Sequence, residues 1–131
     1  MRENNEIQIC YLYVENVEKT LDFYQQAFGF KQSFLHEGGD YGELDTGSTT
    51  ISFSSLALMN QLGKGAIAPN PHAPVFELAF ETDNVQNALA QAVKAGAELV
   101  QGAQEMPWGQ TIGYVHDLNG FLIEICTPVQ G

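Results

Sequence analysis

A repeat offset by 68 residues constrains this chain more than any other feature of it. The stretch VENVEKTLDFYQQAFGF from Val14 lies on TDNVQNALAQAVKAGAE from Thr82, with Asn16 on Asn84, Val17 on Val85, Leu21 on Leu89 and Ala27 on Ala95. Self-similarity at a fixed spacing means two copies of one supersecondary unit. Each copy opens with a strand, IQICYLYV or VFELAFET, that runs into asparagine. Asparagine is a good helix N-cap because its side chain accepts a free N–H of the first turn. Apolar residues then recur at helical period: Val17, Leu21, Tyr24 and Phe28 in one copy, Val85, Leu89, Ala92 and Val93 in the other. Both helices are expected to stop at a glycine, Gly29 or Gly96.

Three short strands are predicted after each helix. They are FKQSFLHE, DYGELD and TTISFS in the first copy, and AELVQG, QTIGYVH and FLIEICT in the second. The last two are joined by Asp117-Leu118-Asn119-Gly120, a good hairpin turn. Between the copies, LGKGAIAPNPHAP is rich in Gly, Pro and Asn and reads as a linker. The expected fold is therefore α+β, with two tandem β-α-β-β-β modules in one domain of 131 residues: module one over 6–56, linker 57–74, module two 75–128. A module of about 60 residues buries too little surface to stand comfortably alone. Its helix covers one side of its sheet, so the other side needs a partner. Two curved mixed sheets closing around a shared cup meet that need, within the chain or across a homodimer.

Composition narrows the function. With 44% hydrophobic residues the chain can build a packed core. Five basic against 16 acidic residues give a net charge of −11 and no basic stripe, which argues against nucleic acid and suits either a cationic ligand or basic partner or simply a well-solvated surface. The start is hydrophilic and no apolar run approaches membrane-spanning length, so neither a signal peptide nor a membrane span is expected. Cys10 and Cys126 lack any CxxC or finger spacing and read as reduced core residues of a cytoplasmic protein.

Glu77 is the oddity in the second module's first strand. Alternation puts Glu77, Ala79 and Glu81 on one side and Leu78 and Phe80 on the other. The same argument puts Ile9, Tyr11 and Tyr13 together on the first module's opening strand, away from Cys10, Leu12 and Val14 under the helix.

The duplicated plan, together with YLYVENVEKTLDFYQQAFGF and PWGQTIGYVHDLNGFLIEICTP, resembles the vicinal oxygen chelate superfamily of glyoxalases, extradiol dioxygenases, fosfomycin resistance enzymes and bleomycin-resistance proteins. The resemblance implies the glyoxalase/bleomycin resistance fold. In metal-dependent members, one side chain from the first strand and one from the last strand of each module hold a divalent ion. Carried over by position, Glu77 and Glu124 stand at the two second-module places, and Ile9 and Ser52 at the first-module places. Isoleucine cannot ligate and a neutral hydroxyl is a poor ligand for zinc, nickel or iron, so no metal cofactor is expected. Magnesium or manganese on the two carboxylates plus water remains chemically open. His36, His72 and His116 match no ligand position and read as surface or turn histidines.

The resemblance also extends to a metal-free branch of small acidic dimers, of bleomycin-resistance type, that bind a cationic drug. On that footing Tyr11, Tyr13, Ser52, Glu77, Trp108 and Glu124 are the expected ligand-binding residues. Aromatic faces supply stacking and cation–π attraction, and carboxylates orient the charge. The plainer readings are packed barrel tyrosines, a tryptophan anchoring its loop, and carboxylates left over in a solvent-filled cup. Three functions follow: a metal-independent small-molecule binder, a metal-dependent lyase, isomerase or dioxygenase using Glu77 and Glu124, or a metal-free acid–base enzyme using that pair.

Overall fold

A computed structural model describes residues 4–129. The β-α-β-β-β order occurs twice. The first run is β1 (Ile9–Val14), α1 (Val17–Phe28), β2 (Lys31–Leu35), β3 (Tyr41–Asp45) and β4 (Thr50–Ser55). After a short helix α2 (Leu56–Gln61) come β5 (Glu77–Glu81), α3 (Val85–Lys94), β6 (Glu98–Glu105), β7 (Thr111–His116) and β8 (Leu122–Cys126). The strands form two four-stranded mixed sheets, ordered β1-β4-β3-β2 and β5-β8-β7-β6. In each, the first strand runs parallel to the last and the other pairings are antiparallel. This is the α+β architecture that the repeat predicts. The chain divides into two compact units, one running through Gln25 and from Phe30 to Ala68, the other holding Gln26–Gly29 and Pro69 onward. Among the described residues no helix is long and apolar enough to cross a membrane.

The helix starts are set as the sequence predicts. Asn16 Oδ1 accepts from Lys19 N at 2.9 Å, and Asn84 Oδ1 accepts from Asn87 N at 3.0 Å, each satisfying a donor that the helix leaves free. Period then decides which side is buried. Val17, Leu21 and Tyr24 of α1 are buried beside Leu12, Val14, Leu44 and Phe53 of the first sheet. In the second unit Val85, Leu89 and Ala92 are buried, as are Ile123, Ile125 and Val115. Val93 departs from expectation: it is 42% exposed and lines an outward groove with Leu99 and Ala103. Cys10 is half-buried rather than fully in the core, and Cys126 is buried; both are free thiols.

Two glycines set how closely each helix lies on its sheet. A methyl group at Gly42 would meet Leu21 Cδ1 at 2.6 Å and the Phe34 carbonyl oxygen at 3.3 Å. The equivalent at Gly113 would meet Leu89 Cδ1 at 2.5 Å and the Gln101 carbonyl oxygen at 3.2 Å. Each central strand therefore omits a side chain where the helix leucine seats.

The segment expected as a plain linker begins with α2. Ser55 Oγ accepts from Leu58 N at 3.0 Å and caps it, and Met59 is buried against the first unit. A serine before LALMNQ is a legible start signal, but six residues carry little period. Strand β6 also runs three residues beyond AELVQG, with two register shifts, because its polar second half shows no alternation. The closing hairpin turn forms as predicted: Asp117 Oδ1 accepts from Asn119 N and Phe121 N, and Gly120 takes φ +99°.

Substituting Gly113→Ala is expected to cost about 1–3 kcal/mol by overpacking against Leu89. Urea melts of the single variants and of Gly113→Ala/Leu89→Ala together should show coupling, because the shorter residue relieves the clash.

Candidate ligand-binding faces

Helix cover on one side leaves the opposite side of each sheet to the alternate residues. Across the first sheet, register aligns Tyr11 on β1, Ser52 on β4, Glu43 on β3 and Phe34 on β2 in one row. Across the second it aligns Ala79, Glu124, Tyr114 and Gln101. Directly opposed side chains share a face, so each row crosses the helix-free side. Ser52 and Glu124 thus hold equivalent places. So do Ile9, paired with Thr50, and Glu77, paired with Leu122.

Each face carries a tyrosine bound to a glutamate. Tyr41 donates its hydroxyl to Glu43 Oε2 at 2.6 Å along β3, and Tyr114 donates to Glu124 Oε1 at 2.9 Å between β7 and β8. Both phenols are pushed up to about 12, first by partial burial and then by the hydrogen bond to the carboxylate. The charge of Glu77 adds to the rise at Tyr114, so Glu77 and Glu124 both act on one phenol. Burial also raises the Cys126 thiol to about 11, helped by neighbouring Glu124 and by Glu81. The strand order therefore gathers Glu77, Glu81, Glu124, Tyr114 and Cys126 on one side of the second sheet.

On the first sheet, Tyr11 and Tyr41 have ring centroids 6.1 Å apart, and Phe34 lies 6.2 Å from Tyr41. Tyr11 is 53% exposed and Phe34 46%, so their ring faces are open. Tyr13 carries the chain's own ammonium: Lys64 Nζ sits 5.5 Å from its ring centroid and 3.4 Å from its hydroxyl. Ser52 is fully buried. Its hydroxyl lies close enough to Tyr41 to offset part of that phenol's rise, yet it makes no hydrogen bond of normal geometry. Among the described residues two buried side-chain polar atoms lack a partner, Ser52 Oγ and Gln101 Nε2, and they fall in the two matching rows.

The remaining expected residue, Trp108, stands on the β6–β7 turn with its side chain largely exposed. Its Nε1 donates to Gln110 Oε1 at 2.8 Å, and Gln110 Nε2 donates to the Thr127 carbonyl at 2.8 Å, which ties the turn to the end of β8. His116 shares the second sheet's helix-free face, in the row Glu77–Leu122–His116–Glu98, with its Nδ1 facing Glu98 Oε1 at 2.8 Å. His36 Nδ1 accepts from Gly38 N, and His72 is exposed.

Sequence reasoning missed Phe34, Tyr41, Glu43, Gln101 and Tyr114. A signal existed for three of them. In YGELD and TIGYVH, committing Leu44 and Val115 to the core forces Tyr41, Glu43 and Tyr114 to the other face. Gln101 lay beyond that argument because β6 is bulged on both sides of it.

The four positions that the family resemblance assigns to metal ligands hold Ile9, Ser52, Glu77 and Glu124. That donor set, with one hydrocarbon and one buried neutral hydroxyl, does not fit a four-ligand ion. Among the described residues no three His, Cys, Asp or Glu side chains gather as a metal site would require.

Two four-stranded mixed sheets, each with one helix-covered and one open face, define the class. The chain belongs to the Glyoxalase/Bleomycin resistance protein/Dioxygenase superfamily, whose sequence model matches residues 6–125. It is 30% identical over 128 residues to the lactoylglutathione lyase of Neisseria meningitidis serogroup A, covering 92% of this chain and 88% of that protein. A glyoxalase-related enzyme from Fulvimarina pelagi has the same fold, with TM-score 0.82 and 21% identity over 95% of this chain and 89% of that one. So does a glyoxalase/bleomycin resistance protein/dioxygenase family enzyme from Burkholderia phytofirmans, with TM-score 0.82 and 21% identity over 96% and 100%.

Tyr41 and Tyr114 should titrate late, near pH 12, in a phenolate absorbance titration. Their folded-state values lie above the unfolded value near 10, so the folded chain holds the protons more tightly. That contribution to stability is complete below pH 10 and is lost as pH rises from about 10 to 12. Glu124→Gln should bring one phenol part of the way back, and urea melts across this window check the sign.

Proposed function

We propose that this protein binds a small organic molecule, cationic or aromatic in character, on the helix-free faces of its sheets without a metal ion. The observation that carries this reading is the exchange at the ligand positions. Ile9 and Ser52 stand where two metal donors would be wanted, while the same faces present Tyr11, Tyr13, Tyr41 and Tyr114 beside Glu43, Glu77 and Glu124. A net charge of −11 favours a cation at long range as well. Trp108, exposed on its turn, is available as a rim contact. A homodimer is part of the reading, since a four-stranded sheet with one bare face needs cover. Free Cys10 and Cys126 suit a reducing cytoplasm.

A second reading has its own support. The relative from Neisseria meningitidis is named a lactoylglutathione lyase, and at 30% identity over 92% of the chain it favours a lyase; the family resemblance would add a divalent metal held by Glu77 and Glu124. Calorimetric titration of chelator-stripped protein with Ni²⁺, Zn²⁺, Mn²⁺ and Fe²⁺ separates the two. No binding at micromolar metal is expected for the wild type, and Glu77→Gln and Glu124→Gln should not change that. Micromolar binding abolished by both substitutions would overturn the proposal in favour of the lyase. Turnover that persists in chelator would instead assign acid–base chemistry to the carboxylate pair.

A further inference from the structure

We propose that the helix-free face of the first sheet binds a protonated primary or secondary amine carried on an aromatic ring, with Glu43 accepting its N–H. The inference rests on the small-molecule-binding reading above and names the group bound and the residues that bind it.

Glu43 is the carboxylate at the centre of the row Tyr11–Ser52–Glu43–Phe34. It is half-buried, where a charge is screened less than on open surface. Tyr41 occupies part of one oxygen at 2.6 Å, and a carboxylate offers several further lone-pair sites. Around it stand three aromatic rings. Tyr41 lies 6.1 Å from Tyr11 and 6.2 Å from Phe34, and the latter two are about half exposed. An ammonium at Glu43 therefore has ring faces beside it, and the scaffold that carries it has rings to stack on. The chain already uses this chemistry one position along, where the Lys64 ammonium rests on the Tyr13 ring.

Ser52 supplies the second, independent observation. Its hydroxyl is fully buried between Tyr11 and Glu43, beside the Tyr41 hydroxyl but without a hydrogen bond of normal geometry, and so adds an incompletely satisfied polar group to the row. A ligand N–H takes a free lone pair of Glu43 beside the Tyr41 bond. That bond rewards a ligand with N–H donors. A quaternary ammonium, having none, keeps only the charge attraction. An anion meets Glu43 directly and is repelled.

The test is calorimetric titration of chelator-treated protein with three indole probes that share a ring: tryptamine, its N,N,N-trimethyl analogue and indole-3-acetate. Tryptamine should bind about ten-fold more tightly than either of the others, a difference equal to one hydrogen-bonded charge. Glu43→Gln should weaken tryptamine about ten-fold and leave indole-3-acetate no weaker. Phe34→Ala, at an exposed position, should weaken both cationic probes by about three-fold through the lost ring face. Circular dichroism confirms that each variant folds. Tryptamine binding unchanged in Glu43→Gln overturns the inference. If that binding is lost in Glu124→Gln, the amine belongs to the second sheet and the function proposed above survives. Wild-type protein that takes none of the three probes also overturns the inference, whereas failure of the functional reading is registered by the metal titration.

Discussion

Everything else in each module depends on one close approach, a helix leucine seated on a strand glycine. Leu21 over Gly42 and Leu89 over Gly113 bring the helix down until no side chain fits between. Dispersion and burial there commit one face of each sheet to the core, and truncating such a leucine costs about 2–5 kcal/mol. Strand alternation then assigns every other side chain to the opposite face. The positions available for recognition are fixed by packing on the far side of the sheet, before any ligand is considered.

The fold was legible in the sequence to the extent that it follows from period and turn chemistry. Asparagine caps, helical spacing and the Asp117–Gly120 turn are local signals, and the structure realises each of them. α2 was too short to show a period, and the second half of β6 too polar to alternate. The candidate site was legible only in part, for a different reason. Tyr11, Tyr13, Ser52, Glu77 and Glu124 lie on first and last strands, where alternation and the family resemblance both point. Tyr41, Glu43 and Tyr114 lie on middle strands, where recognising a site residue requires knowing which strand is its neighbour. Cross-strand register is a tertiary fact, and a single sequence shows it only through the core residues it must match.

The two faces solve one electrostatic problem by different routes. In the second sheet the carboxylate sits on the last strand, Glu124, and its tyrosine reaches across from β7. In the first sheet the last strand has Ser52, and the acid stands one strand over at Glu43, with its tyrosine two residues away along β3. The two sheets share one pairing pattern, and each carries a carboxylate in the corresponding row on a different strand.

The parallel ladder between β1 and β4 carries a kinetic meaning. β2, β3 and β4 follow one another as a meander, so Phe34, Glu43 and Ser52 are brought together by near neighbours in the chain. Tyr11 joins them only when β1 returns to pair Ile9 with Thr50, after the helix and three strands have been made. Contacts of such long sequence separation carry the larger loop-closure cost. The same holds for β5 against β8, where Ala79 and Glu77 meet Glu124 and Leu122. The parallel ladders are therefore the costliest closures of each module, and Tyr11 and Glu77 reach their places on the helix-free faces only through them.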